Sequence, residues 1–152
     1  MAISAKYVHT NLIAEDWQAL SKFYQKIFGC VPCPPERDYR GEKITAGSGV
    51  PDAHLRGEHL LLPGFGEDGP TLEIFNYNMM EERVATAVNR PGFAHIAFSV
   101  PDVEKAQKMV LEAGGHAVGE VVTMQNARGA EVTWCYVTDP EGNIIELQAW
   151  SG

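Results

Sequence analysis

The sequence is short of cations, of cysteine and of long apolar runs, and each shortage removes a class of function. Twelve Lys and Arg stand against 20 Asp and Glu, a formal net charge of -8. A surface of that sign repels a phosphate backbone, so no nucleic-acid partner is expected. No apolar run approaches the roughly 18 to 20 residues that a bilayer-spanning helix needs, and residues 1–6 lack the apolar stretch of a secretory signal. No membrane partner is expected, and the location expected is cytoplasmic. Three cysteines, Cys30, Cys33 and Cys135, are too few and odd in number for a disulfide framework, which fits a reducing compartment. Cys30-Val31-Pro32-Cys33 follows a helical pattern instead of opening one, so no helix N-terminus activates a thiolate there. Gly64-Phe65-Gly66-Glu67-Asp68-Gly69 lacks the Lys and Ser/Thr of a phosphate loop and reads as a hairpin connection.

What the chain does have is a repeat. Val8-His9-Thr10 and Ala94-His95-Ile96 begin two segments that align without a gap at an offset of 86 residues, matching His9 with His95, Asp16 with Asp102 and Gly29 with Gly115. A second pair aligns at an offset of 73, Thr71 to Tyr77 with Ile144 to Trp150, each with a Glu inside an apolar run. The first half therefore carries 13 extra residues between its His and its Glu, somewhere from Cys30 to Pro70. The reading is one domain over residues 1–152, made of module one at about 5–80 and module two at about 91–151. Glu81, Glu82, Arg83 and Arg90 lie in a solvated linker between them.

Each module opens as strand, loop and amphipathic helix. Tyr7 to Ile13 alternates, with His9 and Asn11 on one face and Thr10 and Leu12 on the other. Asp16 is placed to cap a helix whose Trp17, Leu20, Phe23, Tyr24 and Ile27 recur at helical spacing before Gly29. Phe93 to Val100, Asp102 and the stripe Val103, Ala106, Val110 and Ala113 repeat the pattern. Further strands are expected near Glu42–Gly47, Ala53–Leu62 and Thr71–Tyr77, and near Ala117–Thr123, Val132–Thr138 and Ile144–Trp150. Asp139-Pro140-Glu141-Gly142 is a turn before the last of these. The fold class expected is α+β, two tandem βαβββ modules whose curved eight-stranded mixed sheet surrounds a metal-binding cleft.

Period-two alternation puts His9, Glu73, His95 and Glu146 at comparable positions of four strands. Imidazole nitrogen and carboxylate oxygen suit one divalent cation, Zn, Ni, Co, Mn or Fe, and two carboxylates neutralise its charge. A Glu flanked by Leu72 and Ile74, and another by Ile145 and Leu147, would be costly to bury without a cation or proton. In Ala53 to Leu62, His54 and Arg56 share one strand face and His59 lies on the other; contact of one of them with substrate is left open, and a solvent-facing polar side is the reading preferred for each. Phe75, Tyr77, Phe93, Trp134, Tyr136 and Trp150 are read as core aromatics.

Val8-His9-Thr10, the run Phe23 to Gly29, the run Gly92 to Phe98 and the run Asp139 to Leu147 together resemble the vicinal oxygen chelate superfamily of glyoxalases, methylmalonyl-CoA epimerases, extradiol dioxygenases and bleomycin-resistance proteins. The resemblance covers nearly the whole chain and is nearest to lactoylglutathione lyase-like and epimerase-like members. It implies that His9, Glu73, His95 and Glu146 occupy the four metal-ligand positions, and it implies a homodimer. It further implies a metal-dependent isomerase or lyase acting on a small molecule, in which Glu146 or Glu73 removes a proton next to a metal-bound carbonyl and an enediolate follows. The alternatives it leaves open are a CoA-thioester epimerase, an Fe(II) extradiol dioxygenase and a non-catalytic drug-binding protein.

Overall fold

The computed structural model describes residues 1–151 and divides them into two compact units, residues 1–82 and a unit beginning at Arg83. The first unit contains β1 (His9–Ile13), α1 (Trp17–Phe28), β2 (Val31–Arg40), α2 (Glu42–Ser48), β3 (His54–Leu61) and β4 (Thr71–Tyr77). Its sheet has the order β1-β4-β3-β2, with β1 parallel to β4 and the other pairs antiparallel. The second contains β5 (His95–Ser99), α3 (Val103–Glu112), β6 (His116–Ala117), β7 (Val122–Gln125), β8 (Glu131–Thr138) and β9 (Ile144–Ser151). Its sheet runs β5-β9-β8-β6, with β7 also paired to β8 and β5 parallel to β9. No helix of the described residues is long and apolar enough to cross a membrane.

The helices form where the capping pattern places them. Asp16 accepts a hydrogen bond from the Ala19 amide, and Gly29 ends α1 with φ +68°, a conformation that glycine adopts without a Cβ penalty. Asp102 does the same for α3 through the Lys105 amide. The apolar stripe of α1 (Trp17, Leu20, Phe23, Tyr24) lies against one face of its sheet, where Leu60, Leu72 and Ile74 have no exposure. Burying each such side chain contributes about 1.5 to 3 kcal/mol, so this face holds the first unit together, as its counterpart, Val110 with Ile145 and Leu147, does the second. Ser21 of α1, itself buried, donates to Glu58 of β3 on that face.

Three expectations need correction. Glu42–Gly47 is helix α2, not a strand. One strongly apolar side chain in six residues carries no periodicity, and the helix-forming Glu42, Lys43 and Ala46 between Gly41 and Gly49 decide the local structure. The second strand of the first unit is instead β2, a stretch whose Pro32, Pro34 and Pro35 read as punctuation. It survives because it is an edge strand, where a missing backbone donor costs no ladder bond, and its pairing shifts between Cys33 and Arg37. Third, the strand expected at Ala117–Thr123 is interrupted at Gly119 and becomes β6 and β7, so the two sheets hold four and five strands in place of eight strands in all.

Gly57 sits opposite Phe75, and a Cβ there would lie 2.0 Å from the Ile74 carbonyl oxygen and 2.8 Å from Phe75 Cα, backbone atoms that cannot yield. Gly57→Ala is expected to destabilise the protein by about 3 kcal/mol, read as a lower urea midpoint. All three cysteines are free. Burial pushes the thiols of Cys30 and Cys135 up to about 11, the latter helped by the Glu146 charge. A thiol-reactive dye at pH 8 is therefore expected to label one cysteine, Cys33, quickly, and the two buried thiols only on unfolding.

Candidate metal centre

On β4 the face turned away from α1 carries Thr71, Glu73, Phe75 and Tyr77. Glu73 is at its centre, flanked by Asn11 of β1 and His59 of β3, its register partners on either side. Both carboxylate oxygens are engaged. Asn11 Nδ2 donates to Oε1 at 2.7 Å, and His59 Nε2 lies 2.7 Å from Oε2. His9, two residues before Asn11 on the same face, brings its Nε2 to 3.7 Å from Oε1. His59 is fixed from behind, with Nδ1 3.0 Å from the Thr71 hydroxyl. Its ring meets His9 edge-on at 5.5 Å between centroids. With Nδ1 accepting from Thr71, Nε2 carries the proton given to Glu73; the hydroxyl can also accept, which frees Nε2 for a cation.

Burial lowers the pKa of His59, Glu73 opposes that, and the neighbouring Arg37 adds to the lowering. The balance favours neutral imidazole, the form that ligates metals. Ligand atoms of His9, His59 and Glu73 all lie within 4.8 Å of one another.

The second unit repeats the arrangement with different chemistry. His95 opens β5 and its Nε2 is 4.0 Å from Glu146 Oε1. The register partners of Glu146 are Ala97 and Tyr136, where the first unit has Asn11 and His59. The tyrosine ring keeps the contact with His95, 5.0 Å between centroids, but Glu146 takes its donor from Gln148 of its own strand. Gln148 is held in turn by Trp150 Nε1 at 2.6 Å.

The structure thus pairs His9 with Glu73 and His95 with Glu146, in different units. His59 departs from its expected place on a solvent-facing strand side: its side chain is 18% exposed and lies against Glu73. Its signal was the hairpin itself, because pairing Leu61 with Thr71 across the glycine-rich loop sets His59 opposite Glu73. His54 and Arg56 do share a face, and both reach Asp38 of β2, His54 Nε2 at 2.6 Å and Arg56 Nε at 3.9 Å. The hydrogen bond from His54 holds the Asp38 carboxyl below its usual range. Phe93 and Trp150, expected in the core, are exposed.

The mixed α+β fold is that of a known group. The Glyoxalase/Bleomycin resistance protein/Dioxygenase superfamily profile matches residues 6–147, and the chain belongs to that superfamily. Among solved structures it is similar to a glyoxalase family protein from Bacillus cereus (18% identity, 99% of this chain and all of that one, TM-score 0.82). It is also similar to the fosfomycin resistance protein FosX from Listeria monocytogenes, complexed with Mn(II) and sulfate (19% identity, 97% and 93%, TM-score 0.52). At these identities the likeness is one of fold. A 6-phosphogluconolactonase from Synechocystis is 30% identical over 97 residues, 57% of this chain; the chain spans 40% of that protein's length.

Removing His59 leaves Glu73, 14% exposed, with one of its two close donors. His59→Ala is expected to destabilise the metal-free protein by about 1 to 3 kcal/mol in urea unfolding, and by clearly less in a Glu73→Ala background.

Proposed function

We propose that the protein is a divalent-metal-dependent isomerase or lyase of the glyoxalase type, with His9, Glu73, His95 and Glu146 as the ligands of one cation. The observation that carries this reading is the matching of an imidazole and a half-buried carboxylate in each unit, 3.7 and 4.0 Å apart. Two neutral imidazoles and two carboxylates fit a cation of the Zn, Ni, Co, Mn or Fe type, and the Mn(II) of the Listeria protein fits that range. When bound, the cation supplies Lewis-acid polarisation of a substrate carbonyl.

The chain's own groups divide the remaining work. Glu73, held at both oxygens by Asn11 and His59, is the fixed carboxylate. Glu146 has one donor, on its own strand, and is the carboxylate freer to turn. In this reading Glu146 takes the proton from the carbon next to the carbonyl and delivers it to the neighbouring carbon, or to the other face of the same carbon. The first outcome is isomerisation and the second epimerisation. The proton leaves and returns, so no oxidant or second reactant is required. Tyr136, packed on His95, limits the movement of that ring. The protein is cytoplasmic and homodimeric in the same reading, and exposed Tyr7, Val8, Phe93 and Trp150 supply apolar surface for a second copy.

One observation favours a second reading. His9, His59 and Glu73 form a two-His, one-carboxylate set inside the first unit, the ligand type of non-haem Fe(II) oxygenases. Elemental analysis separates the two. About one metal per chain, lost in both His9→Ala and His95→Ala, is expected for the shared site; metal kept in His95→Ala and lost in His59→Ala would select the oxygenase set. For the isomerase, Glu146→Gln should retain metal yet slow turnover by about 10²- to 10⁴-fold. Hemithioacetals and 2-substituted acyl-CoA thioesters are the substrates to screen, with solvent deuterium incorporation at the reacting carbon as the readout. Turnover of Glu146→Gln at the native rate would overturn the assignment of the base.

A further inference from the structure

The 13 surplus residues of the first module acquire a position in the structure: that module alone carries a helix, α2, between its second and third strands. Beside α2 the first unit has an open cavity of about 330 Å³. Lys43 and Ile44 of α2, Leu55 of β3, and Glu73, Phe75 and Tyr77 of β4 are among the residues that line it. Lys43 and Glu73 are the charged side chains among its lining residues. The anion already receives Asn11 and His59 on its two oxygens, so an acidic ligand gains nothing there and gains at the lysine. In a chain with net charge -8, a lysine beside apolar surface next to a ligating carboxylate sorts ligands by charge. The volume lies at the low end for small-molecule sites, enough for a ring and a short chain.

We propose that this cavity is a substrate subsite for a small carboxylic acid with an apolar or aromatic stem, its carboxylate held by Lys43 and its stem lying on Leu55, Phe75 and Tyr77. The proposal rests on the functional reading above in taking the Glu73 end as the end where the reacting oxygens sit. It narrows the substrate to a molecule whose carboxylate is remote from those oxygens. The inserted helix then sets the preference for an acid, and the sheet receives the stem.

The test uses the metal-free full-length chain and two probes of equal length, 3-phenylpropionate and 3-phenylpropanol, titrated by calorimetry. Neither probe carries vicinal oxygens, so a failure of the metal assignment leaves the result unaffected. At low salt the acid is expected to bind roughly fivefold tighter than the alcohol, as an exposed lysine allows, and the preference should shrink toward nothing in about 0.5 M salt. Lys43→Ala should abolish the preference and leave the alcohol's affinity unchanged, Lys43→Arg should keep it, and Phe75→Leu should weaken both probes. Equal binding of acid and alcohol, a preference that persists in Lys43→Ala, or no binding of either probe would each overturn the proposal. Elemental analysis of Lys43→Ala after metal loading should match the native protein, because Lys43 is outside the ligand set.

Discussion

A carboxylate on the centre strand of a sheet must be met by donors or by a cation, and most of what is specific about this protein follows from how its two sheets meet that demand. The other face of each sheet is settled chiefly by the hydrophobic effect: Leu60, Leu72 and Ile74, or Ile145 and Leu147, close against one helix. With that face fixed, period-two alternation leaves Glu73 and Glu146 no choice of side. Their surroundings had to supply hydrogen bonds, and they do so differently. Asn11 and His59 come to Glu73 from both neighbouring strands, whereas Gln148 comes to Glu146 along its own.

Much of this was legible in the sequence, because repeats and alternation are local signals. Capping by Asp16 and Asp102, the end of α1 at Gly29, the turn at Asp139–Gly142 and the sheet positions of His9, Glu73, His95 and Glu146 all follow from spacing along the chain. What was not legible depends on partners distant in sequence. The proline-rich β2 exists because β3 offers it an edge, and a stretch with three prolines gives no local hint of that. His59 is a polar residue in a strand until its cross-strand neighbour is known. The helix α2 was misread for the opposite reason, since six residues with one large apolar side chain hold too little pattern to distinguish a period of two from one of 3.6.

The likeness to solved structures adds the frame and leaves the chemistry to the residues. A TM-score of 0.82 over 99% of the chain at 18% identity says that the backbone path is shared while most side chains are not. Superfamily membership therefore constrains where a site is built and leaves the reaction to be decided by which donors surround it. In this chain those donors are unequal between the units.

The register of the two sheets records a history of duplication. Asn11 corresponds to Ala97, His59 to Tyr136, Phe75 to Gln148 and Tyr77 to Trp150, while His and Glu are unchanged at both sites. An ancestral gene encoding one such module would have had to place every task on a single set of strands. Once two copies were joined, drift at the flanking positions of either copy was free of the other, provided the paired His and Glu remained. One copy now carries a helix between its strands and a second imidazole; the other carries an indole and an amide. The difference between the copies is thus written into the positions beside the paired His and Glu, and comparing those positions across relatives would trace when the copies parted.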